Sequence, residues 1–549
     1  MKKKNIYFLA LVVVTFIAFH SNTYSQLPST LWAKVYTGPA NLENLSNGIC
    51  LNASGMVFVT GTSNGVGTGL DIVTIRYNPA TGDTIWVNRY NGNNQDDRVN
   101  AITCDNSAVY VTGWSLTPSR DIITIKYDAL TGTRLWVKTY NGTGNGGDYG
   151  FAIAVDALGN VYSTGRSDVG GSQKFTTIKY DAAGNVAVGW PSIYTGPLSS
   201  ALDEAHAIKV DLLGNVYVTG KSGAGTTITD DYLTVKMNSG GAVQWGKEYN
   251  GNQNGEDNAV ALVLDGAGTN VYVAGYSTRT GQTQDYVVIK YLTLTGDSNA
   301  SAIYGNTAAG QDFLTSMTID ALNNIYVTGY SQSLTTSLDY ATIKYNSSLA
   351  QQWVQRNSAA GADYAFSVAV DNVTGHVYVT GGSTGTGLDY LTISYSNNGT
   401  FNWEKRENGP MNANDLASGV AVGDTERIFV TGSAIFTGSN TSYYTLRYSA
   451  FNGIEPISGE VPTSFSLMQN FPNPFNPSTA IRFDIPKASF VSIVVYDIMG
   501  REVEVLANEN ARAGKYEVKW NASVYSSGIY FYTLRTGDFS QTKKMILTK

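Results

Sequence analysis

The chain has few charged residues, few histidines, few cysteines and, beyond its first 20 residues, no long run with helical periodicity. Charged residues make up 14% of the 549 residues, against about 25% in typical soluble proteins. The formal charge is −7 and no basic cluster occurs, so the sequence lacks the electrostatic footprint of a nucleic-acid-binding protein. Gly (58) and Tyr (36) are abundant instead, and with many Thr, Asn and Ser residues they favour strands and tight turns.

The scarcity of histidine and cysteine restricts the chemistry that the chain can perform. His20 lies in the leader segment, His206 in a predicted innermost strand and His376 in a predicted hairpin turn. A structural role is the simpler interpretation of such isolated histidines, and no Cys–His cluster has zinc spacing. Cys50 and Cys104 occupy equivalent strands of neighbouring repeats, one position out of register. Because adjacent strand positions point to opposite faces, we predict two buried free thiols rather than a disulfide.

Residues 1–25 have the pattern of a secretory signal peptide. Lys2 to Lys4 supply the positive start, Ile6 to Phe19 form a short apolar core, and Thr23 and Ser25 are small residues before a cut at Gln26. No other apolar stretch is long enough to cross a membrane. We therefore expect a mature protein that lies outside the cytoplasm and does not span a membrane.

A repeat of 51–55 residues dominates the sequence. A strand that ends in Thr-Gly or a close variant occurs eight times, with its glycine at Gly61, Gly113, Gly165, Gly220, Gly275, Gly329, Gly381 and Gly432. Each unit contains four strand-like segments joined by turns rich in Gly, Asn and Asp, which is typical of a four-stranded antiparallel propeller blade. The sequence therefore predicts an all-β protein whose main domain, residues 27–448, is an eight-bladed β-propeller.

The first strand of each unit is predicted to be the innermost one. Four positions before its closing residue, which is Asp in most units, every unit has a small residue: Gly48, Ala101, Ala152, Ala207, Ala261, Ser316, Ser367 and Gly419. Large side chains would collide where eight inner strands crowd around one axis. The eighth unit stops after its third strand, and a spare fourth strand lies at Leu31 to Gly38. We predict that this N-terminal strand completes the last blade and closes the ring.

The repeat motifs resemble a family of bacterial β-propeller repeat proteins. The matching patterns are VYVTGxS and DYxTIKYxxxTG, as at Val216 to Gly220 and, with Ile in place of the first Tyr, at Asp121 to Tyr127. The resemblance covers about residues 31 to 448. Some units depart from these patterns. Lys174-Phe175 and Ser442-Tyr443 replace Asp-Tyr, and Ser301-Ala302-Ile303-Tyr304 lacks the tryptophan. The resemblance implies the propeller fold and does not imply an activity.

The composition changes after Tyr448. Residues 449–461, with Gly453, Pro456 and Gly459, are predicted to be a linker. Residues 462–549 contain short alternating segments separated by glycines, which predict a small Ig-like β-sandwich. The predicted strands are Ala480 to Ile485, Val491 to Tyr496, Tyr516 to Trp520, Ile529 to Leu534 and Lys543 to Leu547.

This tail resembles the C-terminal sorting domain of type IX secretion cargo, of the type A class. The motifs are NFPNPFNP at Asn470 to Pro477, VYDIMGREV at Val495 to Val503, AGKYEVKWN at Ala513 to Asn521, SGIYFYTL at Ser527 to Leu534 and TKKMIL at Thr542 to Leu547. The resemblance implies a Bacteroidetes-like source and recognition of residues 462–549 by the type IX secretion machinery. It further implies release of the protein or its attachment to the outer membrane surface.

An acid begins nearly every predicted inner strand. These residues are Asp97, Asp148, Asp203, Asp257, Asp312, Asp363 and Asp415, with Asn44 in the first unit. The simpler interpretation is structural, with each carboxylate capping backbone N–H groups between blades. The alternative is that some of them line one mouth of the channel and bind a sugar or a cation, for which calcium is the natural choice. The sequence otherwise predicts no cofactor and no resident metal.

A specific site is expected where the repeats break their pattern. Arg98, Glu204, His206, Lys209 and Glu256 are such departures near the inner strands, and we take them as candidate ligand contacts. No catalytic residue is assigned. The sequence favours a secreted or cell-surface binding or scaffold protein that is not an enzyme and whose ligand is a glycan or a protein. The alternative is a polysaccharide hydrolase or lyase with its site in the propeller mouth, although symmetric acids do not supply the two different carboxyl environments that this chemistry requires.

Overall fold

In a computed structural model, all regular secondary structure of the described residues is β-strand. The structure describes residues 28–549 except 197–201, 224–229, 280, 282, 306–309, 334–336, 359–360, 386, 424–426, 439, 450–454, 459, 512, 523–524 and 538. The predicted signal peptide, residues 1–25, lies outside the described residues.

Seven blades are each formed by four strands that follow one another in the chain and pair in an antiparallel order. The first four contain β2 (Asn44–Leu51), β3 (Val57–Gly65), β4 (Gly69–Tyr77) and β5 (Thr84–Tyr90); β6 (Asp97–Cys104), β7 (Ala108–Leu116), β8 (Arg120–Asp128) and β9 (Arg134–Tyr140); β10 (Tyr149–Val155), β11 (Val161–Val169), β12 (Ser172–Tyr180) and β13 (Ser192–Tyr194); and β14 (Asp203–Val210), β15 (Val216–Gly223), β16 (Asp230–Met237) and β17 (Val243–Tyr249). The next three contain β18 (Asp257–Leu264), β19 (Asn270–Arg279), β20 (Thr283–Leu292) and β21 (Ser298–Tyr304); β22 (Asp312–Ile319), β23 (Ile325–Gln332), β24 (Leu338–Tyr345) and β25 (Gln351–Asn357); and β26 (Asp363–Val370), β27 (Val377–Thr384), β28 (Leu388–Tyr395) and β29 (Phe401–Glu407).

The eighth blade joins the two ends of the propeller sequence. It contains β30 (Leu416–Gly423), β31 (Arg427–Thr437) and β32 (Asn440–Tyr448), and its fourth strand is β1 (Thr30–Tyr36). Each inner strand contacts the inner strand of the next blade, and β30 contacts β2, so the ring is closed. The predicted blade number and the predicted closure by the N-terminal strand are both confirmed.

Every inner strand carries one β-bulge just before its small residue. In the third blade, for example, the register with β11 shifts between Gly150 and Ala152, which leaves Phe151 unpaired. The bulge bends the strand, and four of the extra residues, those of blades three to six, line the channel. The bulged residues are Asn47, Asn100, Phe151, His206, Val260, Thr315, Phe366 and Ser418. The residue type in this position differs between blades, and some of these side chains bond the backbone of the next blade, as Asn100 does to Gly150 and Thr315 to Ala365.

The core lies between neighbouring blades. Valine, isoleucine and tyrosine side chains of the second and third strands are buried on both faces of each sheet. A tryptophan of the fourth strand packs on the tyrosine of the next blade, as Trp86 does on Tyr127, and donates its indole N–H to the backbone oxygen of Ala129. The repeated aromatic residues therefore hold one blade against the next.

The prediction of two free thiols is wrong, because Cys50 and Cys104 form a disulfide between the first two blades. Each blade stacks one face on the next blade and its other face on the previous one. Side chains that meet across a blade interface therefore leave their strands from opposite faces. The offset of one position puts Cys50 on the side of β2 that faces blade two and Cys104 on the side of β6 that faces blade one. The offset of one position, from which we predicted free thiols, is therefore the offset that this disulfide requires. Disulfides form and persist in the oxidising environments that exported proteins meet.

The C-terminal residues form two four-stranded sheets around one core. The first sheet contains β33 (Glu455–Ser458), β38 (Gly514–Asn521), β35 (Ser478–Ile485) and β34 (Ser466–Leu467), and the second contains β37 (Glu502–Ala511), β36 (Ser489–Tyr496), β39 (Gly528–Thr536) and β40 (Phe539–Leu547). Side chains of both sheets, such as Trp520 and Ile493, share this core. The five predicted strands are present.

Three strands of the tail were not predicted from the sequence, and one of them is the two-residue strand β34. Glu455–Ser458 lies within the expected linker 449–461, yet it pairs with β38 as the edge strand of the first sheet. β37 was not predicted, because its Glu and Asn residues obscure the apolar alternation that marks the other strands. The domain boundary at residue 462 stays a prediction.

Candidate ligand-binding site at the channel mouth

The predicted acids lie at the end of the channel where the eight inner strands begin, and their side chains are buried. The Asp148 carboxylate accepts hydrogen bonds from the backbone N–H groups of Gly142 and Asp168, each at 2.7 Å. Asn44 accepts one from the N–H of Gly38 at 3.0 Å. Asp97, Asp203, Asp257 and Asp415 accept equivalent bonds from the loop before their strand. These contacts fit a capping role, which stays a prediction.

Burial is the main electrostatic influence on these acids. It raises the pKa of Asp97 and of Asp148 to about 6, against the opposing effect of their hydrogen bonds. Asp203 differs, because Lys174 of the preceding blade places its ammonium 3.4 Å from the carboxylate. Lys174 is one of the residues that depart from the repeat pattern, and the departure supplies a counter-charge to this acid.

The next residue of each inner strand faces the mouth together with its cross-strand partner on the second strand. In blade order these pairs are Leu45 and Thr62, Arg98 and Trp114, Tyr149 and Arg166, Glu204 and Lys221, Asn258 and Tyr276, Phe313 and Tyr330, Tyr364 and Gly382, and Leu416 and Ser433. Each pair of blades two to six contains at least one charged or aromatic side chain, whereas those of blades eight and one are aliphatic or small. We call the members of these pairs from Arg98 to Tyr364 the mouth arc.

The first half of the mouth arc is charged. Glu204 forms ion pairs with Arg166 of the preceding blade and, at 3.7 Å, with its own cross-strand neighbour Lys221. The His206 Nε2 atom lies 3.6 Å from the Glu204 carboxylate, while the Nδ1 atom bonds the backbone oxygen of Ala259. Since a carbonyl oxygen only accepts, Nδ1 carries a proton. Burial raises the pKa of Glu204, but His206 and the two cations outweigh it, so the net pKa is lowered and the carboxylate stays ionised.

The second half of the mouth arc is a continuous line of aromatic rings. The ring centres of Tyr276 and Phe313 are 4.9 Å apart, those of Phe313 and Tyr330 5.3 Å, and those of Tyr330 and Tyr364 5.2 Å. All four rings are half-buried, so one part of each packs on its neighbours and the other part faces the mouth. Glu256 joins the two halves, because it accepts a hydrogen bond from the Tyr276 hydroxyl at 3.2 Å and its charge acts on Lys221.

Two guanidinium groups flank Trp114 at the other end of the mouth arc. Arg98 is its cross-strand partner, and Arg120 lies 4.9 Å above its ring and bonds the Tyr149 hydroxyl at 3.0 Å. Among the described residues, neither arginine has a carboxylate partner. These two cations are therefore available to an acceptor on a ligand.

The structure brings most of the predicted ligand contacts together. Glu204, His206 and Glu256 lie in or beside the charged half of the mouth arc, and Arg98 lies two blades away at its end. Lys209 is separate, because it lies further along the inner strand inside the channel. The aromatic half was missed by the sequence-based search. The sequence does mark it, because the capping acids Asp312 and Asp363 are followed directly by the aromatic residues Phe313 and Tyr364.

The channel behind the mouth is a cavity of about 600 Å³ lined by the inner strands of blades two to six. In the part of the chain that the structure describes, no three His, Cys, Asp or Glu side chains lie close enough to hold a metal ion. Within that same part, no helix has the length and apolar character that crossing a membrane requires.

Comparison with known proteins identifies the tail. Residues 469–548 match the family model of the secretion system C-terminal sorting domain. This segment is a type IX sorting domain, so the chain is secreted or attached to the cell surface by that system. No curated protein matches the chain in sequence.

Solved structures similar to the chain are distant. The quinohemoprotein alcohol dehydrogenase of Comamonas testosteroni is 12% identical with a TM-score of 0.47, over 79% of this chain and 78% of that one. PorZ, a surface component of the type IX secretion system of Porphyromonas gingivalis, is 13% identical with a TM-score of 0.39, over 90% of this chain and 58% of PorZ. The propeller is established by the order and closure of its sheets rather than by these similarities.

Proposed function

Starting from a type IX secretion cargo whose larger domain is an eight-bladed propeller, we propose that the protein binds an extracellular glycan, without catalysis, at the mouth arc. One observation carries the proposal. The residue after each capping acid and its cross-strand partner vary in type from blade to blade, and in blades two to six they include large side chains that contact one another around the mouth. Packing between blades does not require them, since blades eight and one form the same sheets with aliphatic or small residues there.

The chemistry of the mouth arc suits a sugar chain. Half-exposed aromatic rings such as Phe313 and Tyr330 offer flat apolar surfaces to the C–H faces of pyranose rings, while fixed charged groups such as Arg98 and Lys221 bond hydroxyl or acidic substituents. Both kinds of surface lie side by side along one curved line. An extended ligand that follows the mouth would meet them in turn.

The electrostatics of the mouth favour binding over hydrolysis. A glycosidase needs one carboxyl group with a raised pKa beside a second carboxylate. Glu204 is held ionised by His206 and by the two cations Arg166 and Lys221. The charged half of the mouth arc therefore supplies fixed charges rather than an acid ready to donate a proton.

A glycan array probed with the chain lacking residues 1–25 tests the proposal. We expect a glycan to bind and Tyr330→Ala to weaken binding of the best ligand about ten-fold, equivalent to about 1.4 kcal/mol, as measured by isothermal titration calorimetry. Leu45→Ala is the matched control, because Leu45 occupies the same ring position in blade one, and its affinity should change less than two-fold. Release of new reducing ends from the bound glycan would favour the enzyme. Absence of glycan binding, or equal binding by Tyr330→Ala, would contradict the proposal.

A further inference from the structure

The positive and negative groups of the mouth lie at different blades. Arg98 and Arg120 belong to blade two and Arg166 to blade three, whereas Glu204 and Glu256 lie at blades four and five. Arg166 forms an ion pair with Glu204. Arg98 and Arg120 have no carboxylate partner among the described residues, so the blade-two end of the mouth arc is positively charged.

The acids nearest to these two arginines in the sequence are occupied elsewhere. Asp121 follows Arg120 and points to the opposite face of the strand. Its buried carboxylate accepts hydrogen bonds from two hydroxyl groups of the preceding turn, at 2.9 and 3.0 Å. Asp96 precedes Arg98 by two residues and accepts a hydrogen bond from the backbone N–H of Leu70 at 3.0 Å. Both guanidinium groups are therefore left to pair with a ligand.

Two aromatic rings hold Arg120 in place. Its Cζ atom lies 4.9 Å from the ring centre of Trp114 and 5.8 Å from that of Tyr149, and Nη1 donates a hydrogen bond to the Tyr149 hydroxyl at 3.0 Å. A guanidinium group has five N–H donors, so the exposed Arg120 keeps donors for a ligand after it has bonded to Tyr149. Because the group is held in advance, pairing with an acceptor there costs less side-chain entropy.

The repeat does not require an arginine at either position. The residue that follows the capping acid or amide is, in the other blades, Leu45, Tyr149, Glu204, Asn258, Phe313, Tyr364 and Leu416. The residue equivalent to Arg120 at the start of the third strand is, in the other blades, Leu70, Gln173, Asp230, Gln284, Leu338, Leu388 and Thr441. Arginine occurs once at each position, and both occurrences are in blade two beside Trp114. This coincidence favours a local role in ligand binding over a role in blade packing.

We propose that the ligand of the mouth arc is an acidic polysaccharide whose carboxylate or sulfate groups pair with Arg98 and Arg120. This inference rests on the proposed function and adds the chemical class of the glycan. The planar guanidinium fork offers paired N–H donors to the oxygen atoms of such acidic groups. Sugar rings further along the same chain pack on the aromatic half, from Tyr276 to Tyr364, so one extended ligand uses both halves of the mouth arc.

Calorimetric titration of the chain lacking residues 1–25 tests this class with matched pairs of polymers. Polygalacturonate, alginate and hyaluronate are each compared with their carboxyl-reduced, uncharged form, and dextran sulfate is compared with dextran. We expect at least one acidic polymer to bind about ten-fold or more tightly than its uncharged form, and the carboxylate and sulfate pairs identify which acidic group is bound. Raising NaCl from about 0.05 to about 0.5 M should weaken binding of the acidic form more than that of the uncharged form, because salt screens exposed charges.

Substitutions at the mouth locate the preference for acidic groups. Arg98→Gln combined with Arg120→Gln should reduce the ratio of the two affinities to below about three-fold, because it removes both unpaired cations. Arg134→Gln is the matched control, since Arg134 begins the outermost strand of the same blade at the end away from the mouth, and it should leave the ratio unchanged. Tyr330→Ala should weaken binding of both forms by the same factor, because it removes a ring and no charge. Melting curves check that each variant folds.

The outcomes separate this inference from the proposed function. Equal binding of the acidic and uncharged forms, or a preference that the double arginine variant keeps, would overturn the acidic class and leave glycan binding in place. The acidic class alone also fails if no acidic polymer binds while a neutral glycan binds on the array. Absence of binding by every glycan would contradict both.

Discussion

At the scale of single residues, equivalent acids in different blades have different electrostatic environments. The third strand of several blades begins with an Asp whose partner is an Arg on the fourth strand. These pairs are Asp71 with Arg89, Asp339 with Arg356 and Asp389 with Arg406. In blades four and five the arginine position holds Glu248 and Ile303, so Asp231 and Asp285 have no such cation. Burial, with help from neighbouring acids, raises the pKa of both to about 6.

Replacing Asp285 by Asn should stabilise the propeller at neutral pH. The pKa of Asp285 rises from 3.8 to about 6 on folding, so the native state holds the proton more tightly than the unfolded state. The stability that this group contributes is therefore lost as the pH rises from about 4 through 6. We expect Asp285→Asn to gain about 1 kcal/mol at pH 7.5, allowing for solvent screening of a partly exposed group, and nothing at pH 4. Chemical denaturation at both pH values measures the difference.

Asp339→Asn is the matched comparison in the next blade. It removes a carboxylate that lies 2.7 Å from Arg356, and loss of such a charged hydrogen bond costs about 1.5–3 kcal/mol. The two variants should therefore shift stability in opposite directions at pH 7.5. Destabilisation by both would show that the attraction between Asp285 and Arg279 outweighs the cost of burying the Asp285 carboxylate.

At the scale of elements, the ring depends on a strand that is 400 residues away in sequence from its partner. β1 pairs with β32 through Tyr36 and Tyr443 at one end and Thr30 and Tyr448 at the other. The sequence predicted this pairing because the eighth unit lacked a fourth strand and the N-terminus had one to spare. The sequence also predicted the tail strands that alternate strongly. It missed β37 and the short β33 and β34, whose pairing depends on neighbours rather than on their own composition.

Replacing Trp32 by Ala should weaken ring closure. Trp32 is 7% exposed, donates its indole N–H to the Pro79 backbone oxygen at 3.1 Å and packs on Tyr77 and Phe429. Truncation of such a side chain costs about 3–5 kcal/mol, so the melting temperature should fall clearly. Leu31→Ala, at a neighbouring position that is 42% exposed, should leave it nearly unchanged. Equal melting of the two variants would mean that β1 does not hold the ring closed.

At the scale of the whole molecule, export and the proposed binding function are assigned to different domains. The tail carries the sorting signal, and the propeller presents the mouth arc and the channel. The disulfide between Cys50 and Cys104 joins the first two blades, in keeping with folding in an oxidising compartment.

Removing residues 462–549 should stop export at the periplasm of the natural host, because the outer-membrane machinery would have no sorting domain to recognise. Cell fractionation and immunoblotting would show the truncated protein in the periplasm and the full chain on the surface or in the medium. Full-length Leu31→Ala, which keeps the tail, controls for changes in the propeller. Export of the truncated chain at the normal level would contradict the assignment of the tail as the signal.

The sequence by itself determined the features that are set within one repeat or one motif. Strand alternation, turn residues and spacing defined the blades and their number, and the tail motifs defined the route of export. The tertiary structure alone decided which side chains meet across blades: Cys50 with Cys104, Glu204 with Arg166, Phe313 with Tyr276, and Tyr330 with Tyr364. The physical reason is that a blade is built from local hydrogen bonds between strands that are consecutive in the sequence. Contacts between blades depend instead on which face of each strand packs on the next blade and which face packs on the previous one.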